Sequence, residues 1–254
     1  MVSLTQKIIF LTVLWLVPGM VSAEPCREQA FSGNQYLVCS FDLAETDIRL
    51  FWRNGDGQPY RTFSALADEL ASGGKELVFA MNGGMYQRDF TPLGLYIEAG
   101  RELKSLNTAS IEGSPAQIPN FYKKPNGVFY IGSSHAGVME TDQFQQQQPD
   151  HLYATQSGPM LVINGEIHPL FISDSSARNV RNGVGITDAS VVHFVMTNNR
   201  MSFYDFALFF RDYLGCDNAL YLDGGTAPGI YSPALFRNDL PGHDGYGPII
   251  GVVE

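Results

Sequence analysis

The sequence predicts an α+β fold, a single mixed-sheet domain in which strands predominate and helices are few. Three observations carry this reading. Short apolar runs bounded by Gly, Pro, Asn and Asp recur along the chain, only two segments have strong helical periodicity, and no repeat or long linker divides it. The 254 residues include 26 Gly and 14 Pro, with 44% hydrophobic and 17% charged, which suits one sizeable globular domain and excludes a disordered chain. With 16 Lys+Arg against 26 Asp+Glu, the formal net charge is −10. That balance excludes a nucleic-acid partner, since phosphate neutralisation needs clustered cations.

In chain order, residues 1–23 read as a removable export signal. Lys7 gives a positive start, Ile8 to Val17 is apolar apart from Thr12, Pro18-Gly19 breaks the run, and Val21-Ser22-Ala23 suits signal peptidase. The run is short for a bilayer span, which needs about 20 apolar residues; an uncleaved anchor is the alternative. Cleavage leaves a domain of residues 24–254 with no stable membrane span, periplasmic in a Gram-negative bacterium and secreted otherwise. In that oxidising setting Cys26 and Cys39 are expected to pair, contributing ~3 kcal/mol. Cys216, after an apolar helix, reads as a buried thiol.

Strands are expected at Leu77–Met81, Leu93–Ile97, Gly127–Ile131, Met160–Ile163, Val191–Thr197, Ala219–Leu222 and Ile249–Val253. Asn164-Gly165 predicts a tight hairpin between Met160–Ile163 and Glu166–Leu170, and Ala99-Gly100 a second between Leu95–Glu98 and Glu102–Lys104. One helix is expected over Thr62–Ala71. Another starts at Ser202, with Asp205 completing a capping box and Phe203, Phe206, Ala207, Phe210 and Leu214 as its core stripe. Gln145–Gln148 reads as an exposed loop. His193 alternates within an apolar strand and reads as a core histidine. His135, His151, His168 and His243 lack paired ligand spacing, and no phosphate loop or nucleophile elbow occurs, so neither metal nor cofactor is expected.

Chemistry concentrates where apolar strands run into glycine. Phe79-Ala80-Met81-Asn82-Gly83-Gly84 and Leu220-Tyr221-Leu222-Asp223-Gly224-Gly225-Thr226 share this pattern. Each is a turn by the bland reading. By the functional one, a carboxylate or amide is fixed at a strand end beside approachable backbone N–H groups. Thr155-Gln156-Ser157-Gly158-Pro159 is polar where a buried strand would be apolar. Arg178 and Arg181 lead into Asn182-Gly183-Val184-Gly185-Ile186, and arginine is the planar fork for phosphate or carboxylate. A surface ion pair is as good a reading of Arg178.

Taken in order, Asn82-Gly83-Gly84-Met85-Tyr86, Pro92-Leu93-Gly94-Leu95, Ser157-Gly158-Pro159, Arg181 to Ile186 and Leu222-Asp223-Gly224-Gly225 resemble the phosphodiester glycosidase domain, the family of the lysosomal uncovering enzyme. The resemblance runs from about Leu77 to the C-terminus. It implies hydrolysis of a sugar-1-phosphodiester, a small molecule or glycan, at the glycosidic carbon. Asp223 would be the carboxylate at the reacting centre and Arg181 the phosphate clamp. Asn82, Gly83, Gly84, Ser157, Gly158, Asn182, Gly224, Gly225 and Thr226 would line the substrate. The chain departs from the family at Thr226-Ala227-Pro228, where Gly-Ser usually follows, and at Asn182, commonly Thr. Glycosidases ordinarily use two carboxylates; Glu98, Asp174 and Asp188 are the candidates for the second. A non-catalytic glycan- or protein-binding module and a phosphodiesterase cleaving P–O are the alternatives.

Overall fold

Alternating apolar residues make sheets here because each strand has a face to bury twice over, once in a shared core and once under a helix. The structure is a computed structural model describing residues 25–254 apart from 189; the export signal expected over residues 1–23 lies outside the described residues. Three antiparallel sheets form. The first runs Cys26–Phe31, Asn34–Asp42, Val191–Thr197, Arg181–Ile186, Asn218–Gly224, Met160–Ile163 and Glu166–Ile167. The second runs Arg237–Asn238, Ile230–Ser232, Leu77–Asn82, Ile249–Val253 and Asp47–Phe51. The third runs Arg101–Lys104, Tyr96–Glu98, Tyr153–Ser157, Gly127–Ile131 and Ala136–Glu140.

One core joins all three sheets: Leu37, Phe194 and Leu220 from the first meet Phe79, Ile230 and Val252 from the second and Tyr96, Phe129 and Val138 from the third. Each outer face carries a helix. Phe203–Leu208, continued by a wider turn over Phe209–Tyr213, packs Phe206, Phe209 and Phe210 on Tyr36, Val195 and Tyr221. Phe63–Ser72 packs Phe63 and Leu66 on Ala80 and Ile249. Thr141–Gln147 packs Phe144 on Tyr130 and Ala154. The two expected helix starts hold: Thr62 Oγ1 accepts from the Ala65 N–H at 3.2 Å and Ser202 Oγ from the Asp205 N–H at 3.0 Å.

Both hairpins form, the first with a shorter return strand, Glu166–Ile167. Two expectations need correction. Gln145–Gln148 is not a loop: Glu140 caps the N–H groups of Asp142 and Gln143 and Phe144 is buried, so all but Gln148 is helix. Leu93–Ile97 is strand only from Tyr96, because the Leu95 N–H is taken by Gln156 Oε1 instead of a ladder partner. Cys26 and Cys39 lie directly opposite on paired strands and form the disulfide. Cys216 is buried, and burial pushes its thiol up to about 12. His193 is also buried, between Ser40 Oγ (2.8 Å) and Thr187 Oγ1 (3.0 Å).

Candidate active site

The glycine-ended strands terminate together. Asn82 ends its strand in the second sheet, Arg181 and Asn182 open theirs in the first, Asp223 and Gly224 close the neighbouring strand, and Ser157 ends its strand in the third. Register fixes who faces whom. Asn182 is opposite Asp223 and Arg181 opposite Gly224, but Gly183 is opposite Tyr221, so the Asn218–Gly224 strand carries one extra residue at Leu222. This bulge re-aims the strand end. Simple alternation would put Asp223 on the face of Tyr221; the extra residue turns it to the face of Asn182.

On that inner face Asn82 and Asn182 are fully buried and bolted together. Asn182 Nδ2 donates to Asn82 Oδ1 at 2.7 Å, and the same oxygen accepts from the Gly229 N–H at 3.1 Å. Asn182 Oδ1 accepts from the Asp223 N–H at 3.0 Å. Both amides therefore position Asp223 through its backbone. The Asp223 carboxyl accepts from the Gly224 N–H at 2.8 Å through Oδ1, and Oδ2 accepts no hydrogen bond among the described residues. Part of the residue meets solvent, yet protein surrounds the carboxyl, and this burial pushes its pKa from 3.8 to about 7 against the lowering effect of the Gly224 N–H. Nearby, burial and then the Asp223 charge raise Tyr86, whose hydroxyl donates to Gly245 O at 2.8 Å and lies 3.3 Å from His243 Nε2.

Gly83, Gly84, Ser157 and Gly158 form the wall behind. The Gly83 N–H is donated to Pro248 O and the Ser157 hydroxyl to Leu222 O, both within the scaffold. Gly84 adopts φ +136°, and a Cβ there would sit 3.1 Å from Thr155 Oγ1, so this crossing of the sheets admits only glycine comfortably. The Gly225 N–H goes to Val180 O, and Thr226 O accepts from the Gly242 N–H, tying the rim to the 239–246 loop. Among the described residues none of Glu98, Asp174 and Asp188 hydrogen-bonds to Asp223; Glu98 accepts from the Tyr96 hydroxyl and Asp188 from the Ser190 N–H.

Arg181 does not join this cluster. Adjacent strand residues point to opposite faces, and its side chain leaves toward the helix side, only 1% exposed. Nε donates to Met201 O at 3.0 Å, Nη2 to Ala177 O at 3.2 Å, and the guanidinium lies 3.6 Å from the Phe203 ring centroid. Burial lowers its pKa, and no carboxylate pairs with it among the described residues. Lys123, also lowered by burial and then by Arg181, stands beside it with Nζ donating to Asn120 Oδ1 at 2.7 Å. Arg178 instead pairs with Asp205 at 3.4 Å on the surface. On the Arg181 face, Tyr221 is raised by burial first, then by Asp223, and lowered by Arg181. A Cβ on Gly224 would fall on the Tyr221 hydroxyl, so this strand end admits only glycine. Sequence reasoning missed Lys123, Tyr86 in a polar role and His243; the alternation of an irregular loop carried no signal for them.

An α+β frame of three antiparallel sheets brings a buried carboxyl and a buried cation to neighbouring strand ends. Residues 75–250 match the model of the phosphodiester glycosidase family, and the chain belongs to that family. It is 35% identical over 226 residues to the uncharacterised protein YigE of Escherichia coli K12, covering 88% of this chain and 85% of that one. In fold it is similar to the catalytic domain of zebrafish N-acetylglucosamine-1-phosphodiester α-N-acetylglucosaminidase, with a TM-score of 0.59, 14% identity and coverage of 89% and 81%. A putative exported protein of Burkholderia pseudomallei is similar too, with a TM-score of 0.52, 12% identity and coverage of 86% and 74%.

Proposed function

We propose that the chain is an exported hydrolase that cleaves a sugar-1-phosphodiester at the glycosidic C–O bond. One observation carries this reading: a family-motif carboxyl, Asp223, is held rigidly by its backbone, left with one free oxygen and pushed to about 7. Such a group is matched to proton transfer near neutrality. In the reaction, Asp223 Oδ2 takes a proton from water as the water oxygen attacks the anomeric carbon. The C–O bond breaks with its electrons going to the phosphate oxygen, through an oxocarbenium-like transition state. A phosphate leaves without protonation, so a second carboxylate is not required. Asn82 and Asn182 act as positioning residues, and Gly83, Gly84, Ser157 and Gly158 shape the wall against the sugar, with Gly224, Gly225 and Thr226 at the rim. The apolar leader and the Cys26–Cys39 disulfide support export.

Turnover of a chromogenic panel of sugar-1-phosphodiesters tests this. Wild type should hydrolyse at least one member, and Asp223→Asn should lose at least a hundredfold in kcat while melting as a folded protein. Full activity in that variant would remove Asp223 from the chemistry. No turnover of any member by wild type would leave a binding module on the same scaffold.

A further inference from the structure

We infer that the chain carries a second binding site, in the cavity where the edge strand of the second sheet meets that of the third. Its ligand is an oxyanion: a phosphate, sulfate or carboxylate group, either free or carried on a saccharide. None of the residues around Asp223 lines this cavity, so the site stands apart from the hydrolase reading. It measures about 620 Å³, within the range of small-ligand pockets. Asp47–Phe51 is the outermost strand of the second sheet and delivers Trp52 and Arg53; Arg101–Lys104 is the outermost strand of the third. Pairing of Arg101 with Glu98 and of Lys104 with Tyr96 fixes where both cations stand on that edge.

The polar side chains of the lining are almost all donors. Arg53, Arg101 and Lys104 line it, and among the described residues none of them makes an ion pair or a side-chain hydrogen bond. Arg53 lays its guanidinium 3.9 Å from the Trp52 ring centroid. Asn54 has spent its side-chain oxygen on the Asp56 and Gln58 N–H groups, at 3.1 and 2.9 Å, and keeps its NH2 to donate. Glu98 is the one carboxylate in the lining, and it accepts from the Tyr96 hydroxyl at 2.9 Å. Glu102, between the two cations in sequence, accepts from the Ser105 hydroxyl and does not line the cavity. Three cations against one carboxylate make a positive cavity in a chain of net charge −10. Trp52 points the same way independently. It is 5% exposed, and its indole Nε1 meets no acceptor among the described residues. A buried donor left unpaired carries a desolvation penalty, which an acceptor from a ligand removes. Indole, guanidinium, ammonium and amide all offer hydrogens here, and an oxyanion is the group that accepts from every one of them.

In the exported chain freed of its leader, Trp52 is the only tryptophan, because Trp15 lies within residues 1–23. Its fluorescence therefore reports on this cavity. Titration of that protein with phosphate, sulfate, glucuronate and glucose 6-phosphate, with glucose as the neutral control, tests the inference. At least one anion should give a saturable change in emission that weakens with added sodium chloride, and glucose should give none. Tighter binding of glucose 6-phosphate than of phosphate would identify a saccharide-borne group, and equal binding the free ion. Arg101→Ala/Lys104→Ala should weaken every anion that binds by about tenfold or more, while Arg88→Ala, a cation outside the lining, should change nothing. No response to any anion, an equal response to glucose, or anion binding unaltered in Arg101→Ala/Lys104→Ala overturns the inference. These readouts need no turnover, so a protein that binds the anion and hydrolyses no sugar-1-phosphodiester sinks the hydrolase reading and leaves this site standing.

Discussion

Asp223 binds its proton more tightly in the folded chain than in the unfolded one, at about 7 against an ordinary 3.8. Its raised pKa therefore costs stability, which falls as pH rises from about 4 to about 7. Asp223→Asn removes this titration. The thermal midpoint of that variant should exceed wild type by a few degrees at pH 8 and match it at pH 3.5 in calorimetry; a lower midpoint at pH 8 would contradict the buried-carboxyl account. Activity has the opposite sign. As a general base Asp223 must be ionised, so kcat/KM should rise with pH to a plateau with an apparent pKa near 7, whereas a fall through that pH would make it the acid. Asn182 tests positioning. Asn182→Ala strips the acceptor from the Asp223 N–H and the donor from Asn82 Oδ1, costing ~1–3 kcal/mol in denaturant unfolding. Asn182→Thr retains an acceptor and should recover part of kcat; equal losses in both variants would argue against the role.

At the scale of single elements, apolar runs announced strands such as Gly127–Ile131 and Val191–Thr197, whereas Asn34–Asp42 and Asp47–Phe51, which also bury an apolar face, were not among the expected strands. Thr155-Gln156-Ser157 hid because its polar side chains are buried and spent on the scaffold. Gln156 Oε1 accepts from the Leu95 and Asn107 N–H groups, while Nε2 donates to Asn107 O and Thr141 Oγ1. Gln156→Leu strands those groups and should cost ~2–5 kcal/mol by urea unfolding; a loss under ~1 kcal/mol would mean that water replaces the bolt. The site was half legible for a related reason. Motif spacing brought out Asn82, Asn182, Asp223 and Arg181, but the bulge at Leu222 decides which face each serves, and no residue type there encodes it. Alternation alone would have put Asp223 beside Arg181. The helix over Thr141–Gln147 was masked by a glutamine run whose single apolar residue, Phe144, supplies its docking.

Across the whole molecule, three sheets share one core and each carries a helix on its outer face, so the strand ends that hold the site belong to all three and cannot move independently. The composition, glycine-rich and strand-dominated, made that class readable, while the number of sheets emerges only from long-range pairing that periodicity does not report. The disulfide ties the edge strand to its neighbour; reduction should lower stability by ~3 kcal/mol, and Cys216 should resist alkylation at pH 8 until the protein unfolds, its thiol being buried and raised to about 12. Glycosidic cleavage assisted by Asp223 is the central claim, and the fate of solvent oxygen tests it most directly. Hydrolysis of a sugar-1-phosphodiester by the wild-type protein in ¹⁸O-labelled water, read by mass spectrometry, should put the label in the released sugar and none in the phosphate. Label in the phosphate would mean P–O cleavage and would contradict the account.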